Sequence, residues 1–168
     1  RVPPAHQLVV TMDTLVAGRH FPEQTDPWDI GYKSLAVNVS DLVAMAATPA
    51  YFLLSLTLPQ ADETFLDAFA QGLFAAAEEF AITLVGGDTC KGPLSISIQA
   101  TGFIPDNAFV ARSSARVGDR IIVSGSLGAA ALGLAFLQNR VQLPVEQSRF
   151  CTRALDRPQP RLDLLDLL

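Results

Sequence analysis

The amino-acid sequence predicts an α+β protein: an N-terminal domain built on a mixed β-sheet with helices packed on one face, followed by the truncated start of a second α/β domain. Three observations lead to this prediction. Strand-like and helix-like segments follow one another in the order β-α-β-α-β-β. The segment from Leu94 to Phe103 alternates apolar and polar residues, as a half-buried strand does. The character of the chain then changes at Pro105-Asp106-Asn107, so the predicted domains are residues 1–106 and 107–168.

The first predicted elements form a strand–helix–strand unit. Residues 8–11 are a short apolar, β-branched run that is typical of a strand. Asp26 can cap a helix in which Pro27 occupies the first position, and the segment stays apolar through about Ala47. Residues 51–58 then form a nearly continuous apolar strand.

A second helix and two more strands complete the predicted first domain. Asp62-Glu63 marks the start of the helix, and its apolar residues recur at helical spacing. They are Phe65, Phe69, Leu73, Ala76 and Phe80. Residues 81–85 form a strand that runs into Gly86-Gly87-Asp88, and the alternating strand described above follows it. Beyond the boundary, the pattern predicts a strand at residues 120–123 and a helix at residues 127–138.

Composition and charge exclude several classes of protein. Of the 168 residues, 49% are hydrophobic and 17% are charged, which is typical of a packed globular chain and not of long disorder. Twelve basic and 17 acidic residues give a net charge of −5, so we expect no nucleic-acid partner and no membrane partner. Cys90 and Cys151 lack metal-type spacing and are expected to be reduced thiols of a cytoplasmic protein.

Both ends of the sequence look interrupted. The chain begins at Arg1 without an initiating Met or a signal peptide, and it stops inside the helical pattern LDLLDLL. We therefore expect the 168 residues to be a fragment of a longer protein.

Three aspartates stand where a strand or helix pattern breaks. Asp13 follows the strand LVVTM, Asp41 interrupts the helix at NVSDLVAM, and Asp88 follows LVGG. Ligands gather at the carboxyl ends of strands in α/β layers, and oxygen ligands without a His/Cys cluster suit Mg²⁺. Convergence of the three side chains would therefore make a magnesium site.

Each aspartate also has a purely structural interpretation. Asp13 could cap a loop, Asp41 could interact with a helix dipole, and Asp88 could be a turn residue. Gly86-Gly87 could present amides to a phosphate or simply form a tight turn. The case for a site rests on having three such aspartates.

Arg112 and His20 are the remaining candidates for ligand contact. Arg112, just beyond the predicted boundary, has the two-pronged geometry that phosphate prefers, although a solvent-facing linker arginine is the alternative. His20 could hydrogen-bond a substrate phosphate or cap its own loop. No Ser-His-Asp set and no base beside either cysteine is visible in the sequence, so covalent catalysis is not expected.

Several long motifs resemble one family in order and separation. They are TMDTLVAGRHF (11–21), DIGYKSLAVNVSDLVAMAATP (29–49), LVGGDTCKGPLSISIQATGF (84–103), RSSARVGDRIIVSGSLG (112–128) and NRVQLP (139–144). Through these stretches the chain resembles the thiamine-monophosphate kinases of the aminoimidazole-ribonucleotide-synthetase-like superfamily. The resemblance implies transfer of the γ-phosphoryl group of ATP to thiamine monophosphate with Mg²⁺, by a homodimer whose N-terminal domains pair their sheets near the bound nucleotide. Residues 1–106 would then be the ATP- and Mg-binding and dimerisation domain, without its first segment.

The resemblance also implies roles for individual residues. Thr11, Met12, Asp13, Asp41 and Asp88 match metal-binding positions, Gly87, Asp88 and Arg112 match ATP contacts, and His20 matches a substrate contact. The family usually has a hydroxyl residue where Met12 stands, so Met12 could bind metal only through its main-chain carbonyl. No catalytic base is expected, because the attacking phosphate is already ionised at neutral pH.

Two alternatives stay open. Another ATP-dependent enzyme of the same superfamily would share the aspartates but use a different acceptor. A non-catalytic dimerising fragment would fold and pair without doing chemistry.

Overall fold

The structure is a computed structural model, and it describes residues 1–167. Its elements, in chain order, are β1 (His6–Val16), α1 (Pro27–Ala44), β2 (Thr48–Leu58), α2 (Glu63–Glu79), β3 (Thr83–Lys91), β4 (Ser95–Pro105), α3 (Ala129–Leu137), α4 (Val145–Asp156) and a short 3₁₀ helix (Leu162–Leu167). The helical pattern predicted at the end of the chain is thus a 3₁₀ helix as far as Leu167, and Leu168 lies outside the described residues.

The four strands form one mixed sheet in the order β1-β4-β2-β3. β4 is antiparallel to both of its neighbours, whereas β2 and β3 are parallel and are connected through α2. The core lies between one face of this sheet and the helices α1 and α2. Its buried residues include Leu35 of α1, Phe52 of β2, Leu73 of α2 and Ile98 of β4. The structure confirms the predicted mixed sheet with helices on one face.

The two helices begin where their capping residues predict. The Asp26 carboxylate accepts a hydrogen bond of 2.8 Å from the Trp28 amide, and Pro27 occupies the first helical position of α1. The Asp62 carboxylate caps α2 in the same way. The helices cross closely because Gly72 has no side chain: a Cβ there would lie 1.8 Å from the Trp28 carbonyl oxygen. The capping aspartates therefore fix where α1 and α2 begin, and Gly72 allows the two helices to pack closely.

Strand pairing extends β1 and β3 beyond their predicted limits. β1 continues past Asp13 to Val16, because every residue from His6 to Val16 has a partner on β4. β3 continues through Gly86-Gly87-Asp88 to Lys91, paired with β2, so the two glycines do not form a turn. A Cβ on Gly87 would lie 1.8 Å from the carbonyl oxygen of Leu54, which explains a glycine inside a paired strand.

The region after β4 differs most from the prediction. Helix α3 confirms the helix predicted at residues 127–138, whereas helix α4 was not predicted. The strand predicted at residues 120–123 is wrong: this segment has no regular structure, and Ile121 and Ile122 are 97% and 85% exposed. A strand needs a neighbouring strand to satisfy its amides and carbonyls. Within residues 1–167, no strand pairs with this segment.

Candidate functional site

The middle of β1 and the last turns of α1 meet at a polar contact. Thr11 Oγ1 donates a 3.0 Å hydrogen bond to Asp41 Oδ2. Two residues further along the same face of β1, the Asp13 amide donates to Asn38 Oδ1 at 3.1 Å. The Asn38 side chain is fully buried, and its Nδ2 donates to the Ser34 carbonyl one turn earlier in α1. The strand and the helix therefore hold Asp13 and Asp41 in a fixed relation.

The negative charges of Asp13 and Asp41 repel each other. Partial burial raises the pKa of Asp13, and the negative charge of Asp41 raises it further, while His20 acts in the opposite direction. Two neighbouring carboxylates favour a bound cation, which neutralises their repulsion. Within residues 1–167 there is no group of three or more acidic, His or Cys side chains placed to hold a metal ion. Two carboxylates with water and substrate oxygens are, however, the coordination that Mg²⁺ commonly uses.

A cleft of 340 Å³ opens beside this pair and contains Arg112. It is lined by Val9, Val10, Thr11, Asp41, Ala44, Met45, Val110, Ala111 and Arg112. The Val110 amide donates to the Met45 carbonyl at 3.3 Å, which brings the chain beyond β4 back against the end of α1. An arginine that follows β4 thus lies in the same cleft as Thr11 and Asp41, where an anion and its metal ion could bind together.

Asp88 and Gly87 lie elsewhere on the sheet. Asp88 pairs with Ser55, Ser55 with Ser97, and Ser97 with Thr14, and this row crosses all four strands. The 2.7 Å contact between the Thr14 and Ser97 hydroxyls places the row on one face. Asp13, the neighbour of Thr14, lies on the opposite face, because successive strand residues alternate. The single chain therefore does not bring the three predicted aspartates together.

The face of the sheet that carries Asp88, called the outer face here, exposes large apolar side chains beside this polar row. Its exposed large apolar side chains are Leu8, Val10, Met12 and Val16 of β1, with Leu53 of β2. Met12 is 66% exposed on this face, so a metal contact from Met12 would have to use its main chain. Exposed apolar patches of this kind mark interaction surfaces in monomeric units.

His20 lies in the turn that follows β1. Its Nδ1 accepts a 3.0 Å hydrogen bond from the Val16 amide, so the ring caps its own turn, as one of the two interpretations predicted. The ring also borders a cleft of 220 Å³ between this turn and the helices α3 and α4. Gly18, Arg19, His20, Gln24 and Gln138 are among its lining residues. A structural role and a ligand contact are therefore compatible for His20.

The buried polar residues of α1 are not among the candidate residues predicted from the sequence. Ser34 and Asn38 are fully buried and Lys33 is 8% exposed. A signal was present, since Ser34, Asn38 and Asp41 recur at spacings of four and three residues, which places them on one side of a helix. Polar residues at that spacing inside an apolar helix indicate a buried network that leads to an exposed carboxylate.

No helix in the described part of the chain combines the length and the apolar character that crossing a membrane requires.

A mixed four-stranded sheet with two helices on one face, beside a cleft that contains both Asp41 and Arg112, defines a class of α+β domain. Residues 1–104 match the family described as AIR synthase related protein, N-terminal domain. The chain belongs to this family.

Three relatives show which members of the superfamily the chain resembles. Thiamine-monophosphate kinase of Salmonella typhimurium is 46% identical over 162 residues, which cover 96% of this chain and 50% of the relative. The crystal structure of thiamine-monophosphate kinase from Stenotrophomonas maltophilia superposes with a TM-score of 0.90 at 44% identity, over 96% of this chain and 53% of that one. The structure of AaThiL complexed with AMPPCP and TMP also gives a TM-score of 0.90, at 32% identity over 98% and 53% of the two chains. The resemblance to thiamine-monophosphate kinases is confirmed, and the chain spans about half the length of the curated relatives it matches.

Proposed function

We propose that the chain is the N-terminal half of a thiamine-monophosphate kinase, which transfers the γ-phosphoryl group of ATP to thiamine monophosphate and releases thiamine diphosphate and ADP. The similarity to kinases of that name supports the proposal, as does the AaThiL complex with AMPPCP, an ATP analogue, and TMP. The observation that carries it is the placement of Thr11, Asp41 and Arg112 around one cleft, with Asp13 beside it.

The proposed reaction needs charge neutralisation more than proton transfer. The attacking oxygen belongs to a phosphate that is already ionised at neutral pH, so the obstacle is repulsion between two anions. Mg²⁺, when bound, neutralises this charge and aligns donor and acceptor. The Asp13 and Asp41 carboxylates would hold it, and the hydrogen bond from Thr11 keeps Asp41 oriented. The chemistry of this donor set fits Mg²⁺ because Asp13 and Asp41 offer carboxylate oxygens.

Arg112 has a separate task in this proposal. Its guanidinium is always charged and can donate two parallel hydrogen bonds to a phosphate, which stabilises negative charge on the group being transferred. The main-chain contact between Val110 and Met45 would hold Arg112 at the cleft. No side chain in the proposed site has to act as a general base.

We further propose that the protein is a homodimer that pairs the outer faces of two sheets. The exposed apolar side chains of that face support this, since pairing removes them from water. Asp88 and Gly87 would then act at the bound nucleotide, with Asp88 also on its metal, from the partner's sheet and not from the same chain. Met12 would contribute its main-chain carbonyl from β1. The cytoplasmic location expected from the sequence stays a prediction.

An acceptor assay on the full-length protein tests the proposed function. The protein is incubated with ATP, Mg²⁺ and thiamine monophosphate, and the thiamine diphosphate formed is measured. Parallel reactions contain unphosphorylated thiamine, or a different phosphorylated metabolite, as the acceptor. We expect product from thiamine monophosphate alone. Turnover of ATP with a different acceptor would favour the other enzymes of the superfamily, and nucleotide binding without any product would favour a non-catalytic dimerising unit.

A further inference from the structure

Asn38 is a buried polar residue in the apolar part of α1, and the proposed mechanism gives it no task. Its side chain is fully buried and is hydrogen-bonded at both ends. The Nδ2 atom donates a 3.0 Å hydrogen bond to the Ser34 carbonyl, and the Oδ1 atom accepts one of 3.1 Å from the Asp13 amide. Because a buried amide without partners destabilises a fold, these two bonds account for the presence of Asn38 in the core.

The bond between Asn38 and Asp13 lies at the edge of the sheet. Within residues 1–167, β1 pairs with β4 alone. The amides of successive strand residues point to opposite sides, so the Asp13 amide points away from β4 and the Met12 amide points towards it. An amide on the free side of an edge strand has no partner in the sheet. The Asn38 side chain therefore provides the partner that a further strand would provide.

A second hydrogen bond joins the same strand and helix three residues further along α1. Thr11 Oγ1 donates to Asp41 Oδ2 at 3.0 Å. Thr11 and Asp13 lie two residues apart on one face of β1, and their partners lie three residues apart on one side of α1. Because the two bonds lie at different points along both elements, β1 cannot slide along α1 without breaking both. Asp13 takes part through its main chain and keeps its carboxylate available.

We propose that Asn38 is a positioning residue for the cation site. It fixes the main chain of Asp13 against α1, and thereby holds the Asp13 carboxylate where it can bind one Mg²⁺ ion together with Asp41. Asn38 acts through Asp13 and is not itself a ligand. The effect on Mg²⁺ rests on the proposed function, whereas the effect on the Asp13 main chain does not.

Three variants of the full-length protein separate positioning from a general contribution to stability. Asn38→Leu has nearly the same size but forms no hydrogen bond with Asp13. Asn38→Ala is the second test variant if Asn38→Leu fails to fold, because alanine is the residue that most favours a helix. Ser34→Ala is the matched control: it removes a buried hydroxyl one turn earlier, which donates to the Ile30 carbonyl within α1, and it leaves the contact with β1 in place.

Hydrogen exchange at single amides measures whether Asn38 holds the strand. In the Asn38 variants we expect the Asp13 amide to exchange about tenfold faster or more, because it has lost its partner, while the Met12 amide keeps its wild-type rate. Ser34→Ala should leave both rates unchanged. Equal acceleration of the two amides would show that Asn38 only stabilises the fold as a whole, and an unchanged Asp13 rate would show that the bond does not hold the strand. Either result would overturn the proposal.

Calorimetric titration of the same proteins with Mg²⁺ alone tests the cation site. The Kd for Mg²⁺ should rise by about tenfold in the Asn38 variants, which is typical when a residue that orients a ligand is lost, and should stay within about twofold of wild type in Ser34→Ala. An unchanged Kd in a folded Asn38 variant whose Asp13 amide exchanges faster would contradict the positioning role. If wild-type protein binds no Mg²⁺, the proposed cation site fails, while the exchange rates still decide whether Asn38 fixes Asp13.

Discussion

Asp13 and Asp88 lie on opposite faces of one sheet and on its two edge strands. β1 and β3 are separated by β4 and β2, which corresponds to about 14 Å at the usual strand spacing. Two ligands of one magnesium ion lie roughly 3 Å apart, because each is about 2 Å from the metal. The two carboxylates of a single chain therefore cannot share an ion, and a joint role requires two chains.

A mixing experiment tests whether two chains share the site. Full-length Asp41→Asn and Asp88→Asn should each lose nearly all activity, since each lacks one ligand at every site. After denaturation and refolding together, half of the dimers are mixed, and each mixed dimer has one intact site, so about a quarter of wild-type activity should return. Refolding each variant alone is the control. Recovery no greater than in those controls would place Asp41 and Asp88 in independent roles.

Replacing a metal carboxylate should reduce turnover without unfolding the protein. In Asp13→Asn and Asp41→Asn we expect kcat to fall by about 100-fold or more, because charge neutralisation is lost. Stability without metal should stay equal or rise, since burial and repulsion from Asp41 already disfavour the Asp13 charge. Thermal melts with and without Mg²⁺ measure this: Mg²⁺ should raise the Tm of wild type and of the exposed control Asp67→Asn only. If Mg²⁺ raises the Tm of Asp13→Asn as much as that of wild type, Asp13 does not bind the ion.

Because the pKa of Tyr32 is raised, the free energy of unfolding should fall steeply at alkaline pH. Burial and the Glu79 carboxylate, which accepts a 3.0 Å hydrogen bond from the Tyr32 hydroxyl, raise the pKa of Tyr32 from 10.0 to about 12. Between these values the folded state keeps a proton that the unfolded state has lost, so the free energy of unfolding decreases as pH rises through this window. Urea unfolding at a series of pH values should show this decrease in wild type and not in Tyr32→Phe.

Tyrosinate absorbance provides the matching spectroscopic control. Tyr32→Phe should remove an ionisation step near pH 12, and Tyr51→Phe should leave that step in place. If Tyr32→Phe leaves the alkaline step and the stability curve unchanged, the hydrogen bond to Glu79 does not stabilise the fold.

Two adjacent glycines of β3 should differ sharply in tolerance to alanine. A Cβ on Gly87 would lie 1.8 Å from the carbonyl oxygen of Leu54, and its φ of +155° is one that side chains rarely adopt, whereas a Cβ on Gly86 meets only the Leu53 side chain at 3.4 Å. Gly87→Ala should therefore lower the free energy of unfolding by about 3 kcal/mol or more, and Gly86→Ala by less than about 1 kcal/mol. Denaturant unfolding of both variants measures the difference. Equal stabilities would mean that β2 and β3 are farther apart than the structure shows.

The sequence by itself determined the elements that depend on local chemistry. Capping aspartates and apolar stripes predicted where α1 and α2 begin and which faces they bury, because a helix forms from contacts within a few residues. Alternation predicted β4, because its two faces meet different environments. The sequence also predicted Asp13, Asp41 and Asp88 as candidate site residues, because charged residues are uncommon within or next to strongly apolar elements.

Only the tertiary structure decided which candidates meet. β4 inserts between β1 and β2, so the lengths of β1 and β3 and the faces of Asp13 and Asp88 depend on partners far away in the sequence. Arg112 reaches the cleft through a main-chain contact with α1, and Arg157, at the end of a helix that the pattern did not predict, forms a salt bridge with Asp29 of α1. Each of these relations joins residues that are distant in sequence, and the free energy of bringing such segments together is a property of the whole packing, which local patterns do not encode.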